Sequence, residues 1–142
     1  MLVRCLYASR AAAGTSAAIL DDILAQSRRN NPANGITGML CVSNNLFIQV
    51  LEGGRDEVCD LYHAIVRDGR HEHLRLLAYE EITERRFGAW TMGQVNLAKV
   101  NPSHLLKYFK RAELDPFNAS GAATLSLLSE LVASAALIGR GE

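Results

Sequence analysis

The feature that most constrains the fold is a pair of apolar segments separated by only three polar residues. ITGMLCV (36–42) and LFIQVLEG (46–53) are both rich in apolar residues, and SNN connects them. Runs of this length and composition are typical of strands, and a connection this short joins antiparallel neighbours. We therefore expect a β-hairpin, and the remaining elements must be compatible with it.

Strand-like and helical patterns alternate around the hairpin. The other predicted strands are MLVRCLY (1–7), LRLLAYEEI (74–82) and WTMGQVNL (90–97). SAAILDDILAQSRR (16–29) and RDEVCDLYHAIVRDG (55–69) have apolar residues at helical spacing and predict two amphipathic helices. The order β-α-β-β-α-β-β is that of ferredoxin-like α+β folds, in which two helices cover one face of an antiparallel sheet.

Two further helices are predicted after this unit, over 103–114 and 121–139. We therefore divide the chain into a domain over 1–100 and a C-terminal helical extension over 101–142. The last predicted helix has an apolar stripe, which consists of Leu128, Leu131, Val132, Ala135 and Ile138. We expect the stripe to cover the open face of the sheet; contact with a partner or with a second copy of the chain is the alternative.

Charge and cysteine content exclude several classes of protein. Fifteen basic residues balance fifteen acidic ones, which argues against a nucleic-acid binder with a basic face. Cys5, Cys41 and Cys59 lie far apart and predict reduced thiols in a cytoplasmic protein. The span 119–139 contains one charged residue, but its serines and alanines favour a packed helix over a membrane span.

The stretch RDGRHEH (67–73) suggests a metal site. His63, Asp68, His71 and His73 lie close together in the sequence. Zinc sites usually combine such a pair with a second pair of Cys or His, and none matches here. We therefore expect no metal, and His63 and His73 are interpreted as surface residues.

A glutamine in the middle of a buried strand raises the question of its hydrogen-bond partner. A buried carboxamide without a partner costs about 1–3 kcal/mol. Period-two alternation places Gln49 on one face of its strand and Tyr7 on one face of the first strand. If both faces point toward the helices, these two side chains meet beneath them. The simpler interpretation is that the backbone or a tyrosine hydroxyl satisfies Gln49 within an ordinary core.

The two helices add apolar and polar side chains at the same place. The residues that would face the sheet or lie at the helix ends are Ile23, Ser27, Asn30, Asn31, Ile65 and Asp68. Aliphatic side chains can cover the faces of a flat heterocycle, and amides can bond its carbonyl and ring-nitrogen edges. The turn NNPANG could equally be no more than a helix stop.

Five blocks of the sequence resemble, in order and spacing, the BLUF domains, which are flavin-binding blue-light sensors. The blocks are YASR (7–10), SRRNNPANGITGML (27–40), FIQVLEG (47–53), LYHAIVRDGRH (61–71) and RRFGAWTMG (85–93). The resemblance covers about residues 1–97. It implies a ferredoxin-like fold with FAD held noncovalently between the two helices.

The resemblance also implies roles for individual residues. Gln49 would bond the flavin ring and Tyr7 would be its partner; Asn30 and Asn31 would bond the carbonyl and nitrogen edge. Ile23 and Ile65 would cover the ring faces, and the remaining flavin contacts would be Ser27, Arg28, Asp68, Arg70 and His71. Arg28, Arg29 and Arg70 are expected near the phosphates. Trp90 and Met92 match the fifth-strand pair implicated in signal relay, and alternation would place both on one face.

The function implied is a photoswitch rather than an enzyme. Light would rearrange the Gln49 amide, by rotation or tautomerisation, and a stronger bond to the flavin carbonyl would shift its absorption to the red. The signal would pass through the last strand and the C-terminal helices to an unknown downstream protein or a second subunit. A flavin-dependent redox enzyme and a cofactor-free interaction module with the same fold are the alternatives.

Overall fold

The computed structural model describes residues 1–14, 17–43, 45–133 and 137–138. The strands and helices, in chain order, are β1 Leu2–Ala11, α1 Ala17–Asn30, β2 Thr37–Ser43, β3 Leu46–Gly54, α2 Arg55–Arg67, β4 His71–Ile82, β5 Gly93–Asn96, α3 Pro102–Tyr108, α4 Gly121–Val132 and β6 Leu137–Ile138. Short 3₁₀ turns lie at Pro32–Asn34 and Leu97–Lys99. The predicted order of the first seven elements is confirmed.

The described strands form one sheet with the order β4-β1-β3-β2-β5-β6. The first four pair in antiparallel fashion, as the ferredoxin-like arrangement requires. The expectation of an antiparallel sheet needs one correction, because β5 pairs in parallel with β2, from Met39 opposite Gly93 to Val42 opposite Asn96. The chain crosses the end of the sheet between β4 and β5, and this crossing makes the parallel pairing possible.

The sheet separates two apolar clusters. The helix-side cluster lies beneath α1 and α2 and includes Val3, Tyr7 and Leu51. The opposite-side cluster includes Leu6 and Val50 from the same two strands, as period-two alternation requires. Each strand of the β1–β3 pair therefore contributes to both cores.

The opposite face of the sheet is covered by α3 and α4, as expected for the apolar stripe. Leu128 and Leu131 are fully buried in the opposite-side cluster. A Ser120 cap begins α4: its side chain accepts a hydrogen bond from the Ala123 amide. The described part of 101–133 thus shares a core with the sheet; the domain division at residue 100 stays a prediction.

Both C-terminal helices are shorter than predicted. Helix α3 ends at Tyr108 because Phe109 adopts an extended conformation, and α4 ends at Val132. Leu137 and Ile138 form an edge strand opposite Val95 and Gln94, so the predicted helix over 121–139 is wrong in its last part. Pairing with this strand gives hydrogen-bond partners to backbone groups at the edge of β5. If the helix continued instead, those backbone groups would have no partner strand. Ala135 lies outside the described residues.

A membrane crossing needs a long apolar helix, and none occurs within the described ranges. Likewise, no group of three or more His, Cys, Asp or Glu side chains in those ranges is arranged to hold a metal ion. His73 instead packs its ring against that of Phe117, with centroids 5.0 Å apart.

Candidate functional site

Tyr7 and Gln49 lie directly opposite each other on β1 and β3. Both point toward the helices and are almost completely buried. The Tyr7 hydroxyl donates a hydrogen bond to Oε1 of Gln49, and Nε2 of Gln49 donates to the sulfur of Met92 at 3.3 Å. The buried glutamine is therefore bonded at both ends by side chains of the protein.

Burial raises the pKa of Tyr7 well above its ordinary value, and the buried Cys5 thiol and the Asp68 carboxylate raise it further. The phenol is therefore neutral at any physiological pH and keeps its proton available as a donor to Gln49. The edge of the Tyr62 ring packs near Tyr7, with centroids 5.9 Å apart, and helps to close the site on the α2 side.

A cavity of about 130 Å³ opens above this pair, between α1 and α2. Its lining is Tyr7, Ile23, Gln26, Ser27, Asn30, Asn31, Gln49, Leu61, Ala64, Ile65, Asp68, Arg70 and His71. The sequence-predicted cofactor contacts therefore come together here, with Arg28 as the exception. Arg29, a further expected phosphate partner, does not line the cavity either. Gln26 and Ala64 were missed, although each lies one helical turn from a predicted residue on the same face.

Arg28 is the exception, because it does not line the cavity. Its Nε donates a hydrogen bond of 3.2 Å to the backbone carbonyl of Met92. The side chain therefore points from α1 toward the segment before β5. This position does not support the expected role of Arg28 beside the phosphates of a cofactor.

Asn31 carries an unsatisfied donor at the cavity. The residue is buried, and its Nδ2 has no hydrogen-bond partner among the described residues. Its backbone carbonyl accepts from the amides of Asn34 and Ile36, which fixes the turn after α1. A buried donor without a partner is costly in a folded protein, so the site is suited to a ligand acceptor at this position. The carbonyl edge of a flavin has that chemistry, and Ile23 and Ile65 contribute aliphatic side chains to the same lining.

The far rim of the cavity is polar and charged. Asp68 accepts a hydrogen bond of 2.6 Å from Arg70 Nη2 and further bonds from Arg70 Nε. These bonds hold the pKa of Asp68 below its ordinary value, so the carboxylate is charged. Arg70 also donates to Gln26 at 3.1 Å, which links this rim to α1.

His71 completes the rim. Its Nδ1 lies 2.9 Å from the Ser9 hydroxyl, and its ring packs against Phe47 with centroids 4.9 Å apart. Burial lowers the pKa of His71 below 6.5, so the imidazole is neutral near pH 7.

Trp90 and Met92 are not on the same face, contrary to the sequence-based expectation. Strand β5 begins only at Gly93, so the alternation expected from residue 90 does not apply. Met92 is fully buried in the helix-side cluster, whereas Trp90 belongs to the opposite-side cluster. The segment between them crosses from one face of the sheet to the other, and it brings the sulfur of Met92 within 3.3 Å of Gln49 Nε2.

Comparison with known sequences identifies relatives for this arrangement. The profile of the family BLUF, described as sensors of blue light using FAD, matches residues 2–93. A photoactivated adenylate cyclase subunit beta of Euglena longa is 37% identical over 87 residues, which are 61% of this chain and 10% of that protein. The blue light- and temperature-regulated antirepressor BluF of Escherichia coli is 30% identical over 88 residues, or 62% of this chain and 22% of that one. This chain thus spans about a tenth of the length of the matched cyclase.

Solved structures match over a larger share of the chain. BlsA in its photo-activated state superposes with a TM-score of 0.83 at 30% identity, and the match covers 94% of this chain and 96% of that one. BlrB in its dark state gives a TM-score of 0.76 at 30% identity, with 93% and 95% covered. The family profile, the relatives and the fold agree: this chain belongs to the BLUF family, the sensors of blue light using FAD.

Proposed function

We propose that this chain is a blue-light photoreceptor in which FAD lies in the cavity between α1 and α2 and is read by the Tyr7–Gln49 pair. The observation that carries the proposal is the direct hydrogen bond from the Tyr7 hydroxyl to Gln49 at the floor of that cavity. The function is sensing, in keeping with the description of the family, and not catalysis.

The lining residues divide into three roles in this proposal. Ile23 and Ile65 cover the faces of the flavin ring, and Asn30 and Asn31 bond its carbonyl and nitrogen edge. The unsatisfied Nδ2 of Asn31 supports this assignment. The remaining proposed flavin contacts are polar side chains of the cavity lining: Ser27, Asp68, Arg70 and His71.

When bound, the flavin supplies the absorption of blue light and a strongly oxidising excited state. With the flavin bound, Tyr7 would be the phenol that donates an electron and a proton to the excited ring, and the return of both would leave no net oxidation. The rearranged Gln49 amide is the change that persists after the cycle. An amide has a donor end and an acceptor end, so its rearrangement changes which end faces each neighbour. Met92 accepts a hydrogen bond from Nε2 of Gln49, so its contact with Gln49 is the first to change when the amide rearranges.

The decisive experiment is an absorption spectrum of the purified protein before and after blue light. A yellow protein with a reversible red shift supports the proposal. Steady turnover with an added reductant, without a stable red-shifted state, would instead favour a flavin-dependent enzyme. A colourless protein that takes up no FAD on refolding would favour a cofactor-free interaction module.

The output of the sensor is proposed to be a protein contact made through the last strands and α3–α4, with an unknown partner or a second copy of the chain. Relatives named as adenylate cyclases and as an antirepressor support a signalling role. A location in the cytoplasm is proposed from the free cysteines Cys5, Cys41 and Cys59, which suit a reducing compartment.

A further inference from the structure

Glu52 is a fully buried carboxylate on the same strand as Gln49. The two residues are three positions apart on β3, so their side chains point to opposite faces of the sheet. Glu52 therefore lies outside the cavity, on the side of the sheet where Trp90 is found. A buried charge is costly unless it is fully bonded, so its partners indicate what it does.

The Glu52 carboxylate binds one side chain and two consecutive backbone amides. Oε2 accepts from Arg4 Nε at 2.8 Å and from the Arg86 amide at 3.1 Å, and Oε1 accepts from the Phe87 amide at 2.6 Å. Arg4 is shared with Glu80, which accepts from its Nη1 at 2.7 Å. The carboxylate thus fixes the backbone of the segment that leads from β4 to β5.

The same segment is held again at several later points. The backbone carbonyl of Phe87 accepts from the Trp90 amide at 3.1 Å, and the carbonyl of Trp90 accepts from the Gly38 amide at 2.9 Å. The carbonyl of Met92 accepts from Arg28 Nε at 3.2 Å. Hydrogen bonds therefore attach the segment to the rest of the protein at Arg86 and Phe87, at Trp90, and at Met92, whose sulfur contacts Gln49.

Arg85 adds a second attachment at the start of the segment. Its Nη1 donates to the Thr37 hydroxyl at 2.9 Å and to the backbone carbonyl of Glu52 at 3.3 Å. The first residues of the segment are thereby bound to β2 and β3 through a side chain as well as through their backbone. Gln49 and the start of the segment are consequently supported by one strand, β3.

We propose that Glu52 is a positioning residue that sets the path of the segment 85–92 and thereby the contact of Met92 with Gln49. The part of this inference that concerns the photoswitch rests on the proposed function. The part that concerns the segment is independent of the proposed function, because it is tested through the solvent access of Trp90. Trp90 is the only tryptophan of the sequence, so the fluorescence signal belongs to it alone. Trp90 is 8% exposed, so release of the segment increases its access to solvent.

The test compares Glu52→Gln with Glu80→Gln in the flavin-loaded protein. Glu52→Gln replaces one carboxylate oxygen, which accepts a hydrogen bond, by an amide group that donates and that faces a backbone N–H. Glu80→Gln is the control, because it changes the other partner of Arg4 and removes no bond to the segment 85–92. Acrylamide quenching of Trp90 in the dark is expected to rise severalfold, with a red-shifted emission, in Glu52→Gln only. Unchanged quenching in Glu52→Gln, or an equal rise in both variants, overturns the proposal.

Dark recovery of the red-shifted state gives the second readout. Return of the Gln49 amide re-forms its contact with Met92, so recovery is expected to be slower when Met92 is displaced. The expected decrease in the recovery rate of Glu52→Gln is about tenfold, which corresponds to the loss of one charge-assisted hydrogen bond. In a Met92→Leu background, Glu52→Gln is expected to have no further effect on recovery. An equal slowing in both backgrounds contradicts a role through Met92. If the wild type gives no red shift, the proposed function fails while the quenching result still decides the role of Glu52.

Glu52→Gln leaves Arg4 short of a charged partner and could prevent folding. Glu52→Asp provides the alternative variant, because it keeps a negative charge beside Arg4 but shortens the side chain that reaches the Arg86 and Phe87 amides. A smaller rise in Trp90 quenching in this variant, at an unchanged circular dichroism spectrum, supports the proposal. Quenching identical to that of the wild type counts against it.

Discussion

Gln49 donates from Nε2 to the sulfur of Met92 across 3.3 Å, and its opposite end accepts from Tyr7. The donor end thus faces a weak acceptor, while the acceptor end faces a good donor. A tyrosine hydroxyl can also accept, so a reversed amide could still bond to Tyr7 and would lose mainly the sulfur contact. Reversal of the amide would therefore exchange the partners at both of its ends, and a ligand at the cavity that bonds one orientation better would favour that orientation.

Removal of either member of the Tyr7–Gln49 pair is expected to abolish the photoswitch. Tyr7→Phe removes the only hydroxyl that bonds Gln49 among the described hydrogen bonds, and Gln49→Leu removes the amide itself. Both variants should bind flavin and show no reversible red shift under blue light. Tyr62→Phe is the matched control, because its ring packs near Tyr7 and should leave the shift intact. A normal light-state spectrum in Tyr7→Phe or Gln49→Leu would contradict the assignment.

Flavin affinity should depend on Asn31 and not on its neighbour Asn34. Asn31→Ala removes a buried donor worth about 1–3 kcal/mol when it is satisfied by a ligand, or roughly 10- to 100-fold in Kd. The exposed Asn34 side chain donates to the Asn30 carbonyl, so Asn34→Ala serves as the control. Titration of FAD into refolded, flavin-free protein measures both constants. Equal affinities for the two variants would refute the role of Asn31.

The stability of the protein should fall as His71 becomes protonated. Burial lowers the pKa of His71 in the folded state below 6.5, so the unfolded chain takes up its proton at a higher pH. The stability contributed by neutral His71 is therefore complete above about pH 6.5 and is lost as the pH falls through the folded pKa. Urea unfolding of the flavin-free protein between about pH 7.5 and pH 5 measures this slope. His71→Gln should have a smaller slope, and an unchanged slope would exclude His71 as its source.

The packing of α4 on the sheet predicts a contrast between two leucines. Leu128 is fully buried, so Leu128→Ala should lower the free energy of unfolding by about 2–5 kcal/mol. Leu106 on α3 is 57% exposed, and Leu106→Ala should change the free energy little. Denaturant titrations of the two variants provide the measurement. A large effect at Leu106 with a small one at Leu128 would mean that α4 does not cover the sheet in solution.

The sequence allowed the sheet and most of the cavity to be predicted, because alternation along β1 and β3 directly determines which side chains meet. Tyr7 and Gln49 follow this rule, and so do Ile23 and Ile65 on the helices that cover them. These positions depend on local periodicity and on the short connection between β2 and β3, both of which are visible in the residues themselves.

The errors lie where tertiary pairing overrides local pattern. Residues 90–92 have strand-like composition, but β5 pairs with β2 only from Gly93, so Trp90 and Met92 diverge to opposite faces. Leu137 and Ile138 continue a helical pattern in the sequence, yet in the structure they form a strand because they pair with the open edge of β5. The role of Glu52 is not visible in the sequence, because a carboxylate near the end of a buried strand does not reveal which backbone amides it will bind.

The cross-strand register of Tyr7 and Gln49 limits how this protein can change. Their side chains meet because alternation along each strand places both of them on the face that the helices cover. A shift of either strand by one residue would turn its side chain to the other face. Point substitutions in β1 or β3 alter a single contact, whereas a one-residue insertion or deletion ahead of either residue would separate the pair altogether. Length variation in this protein is therefore expected outside these two strands.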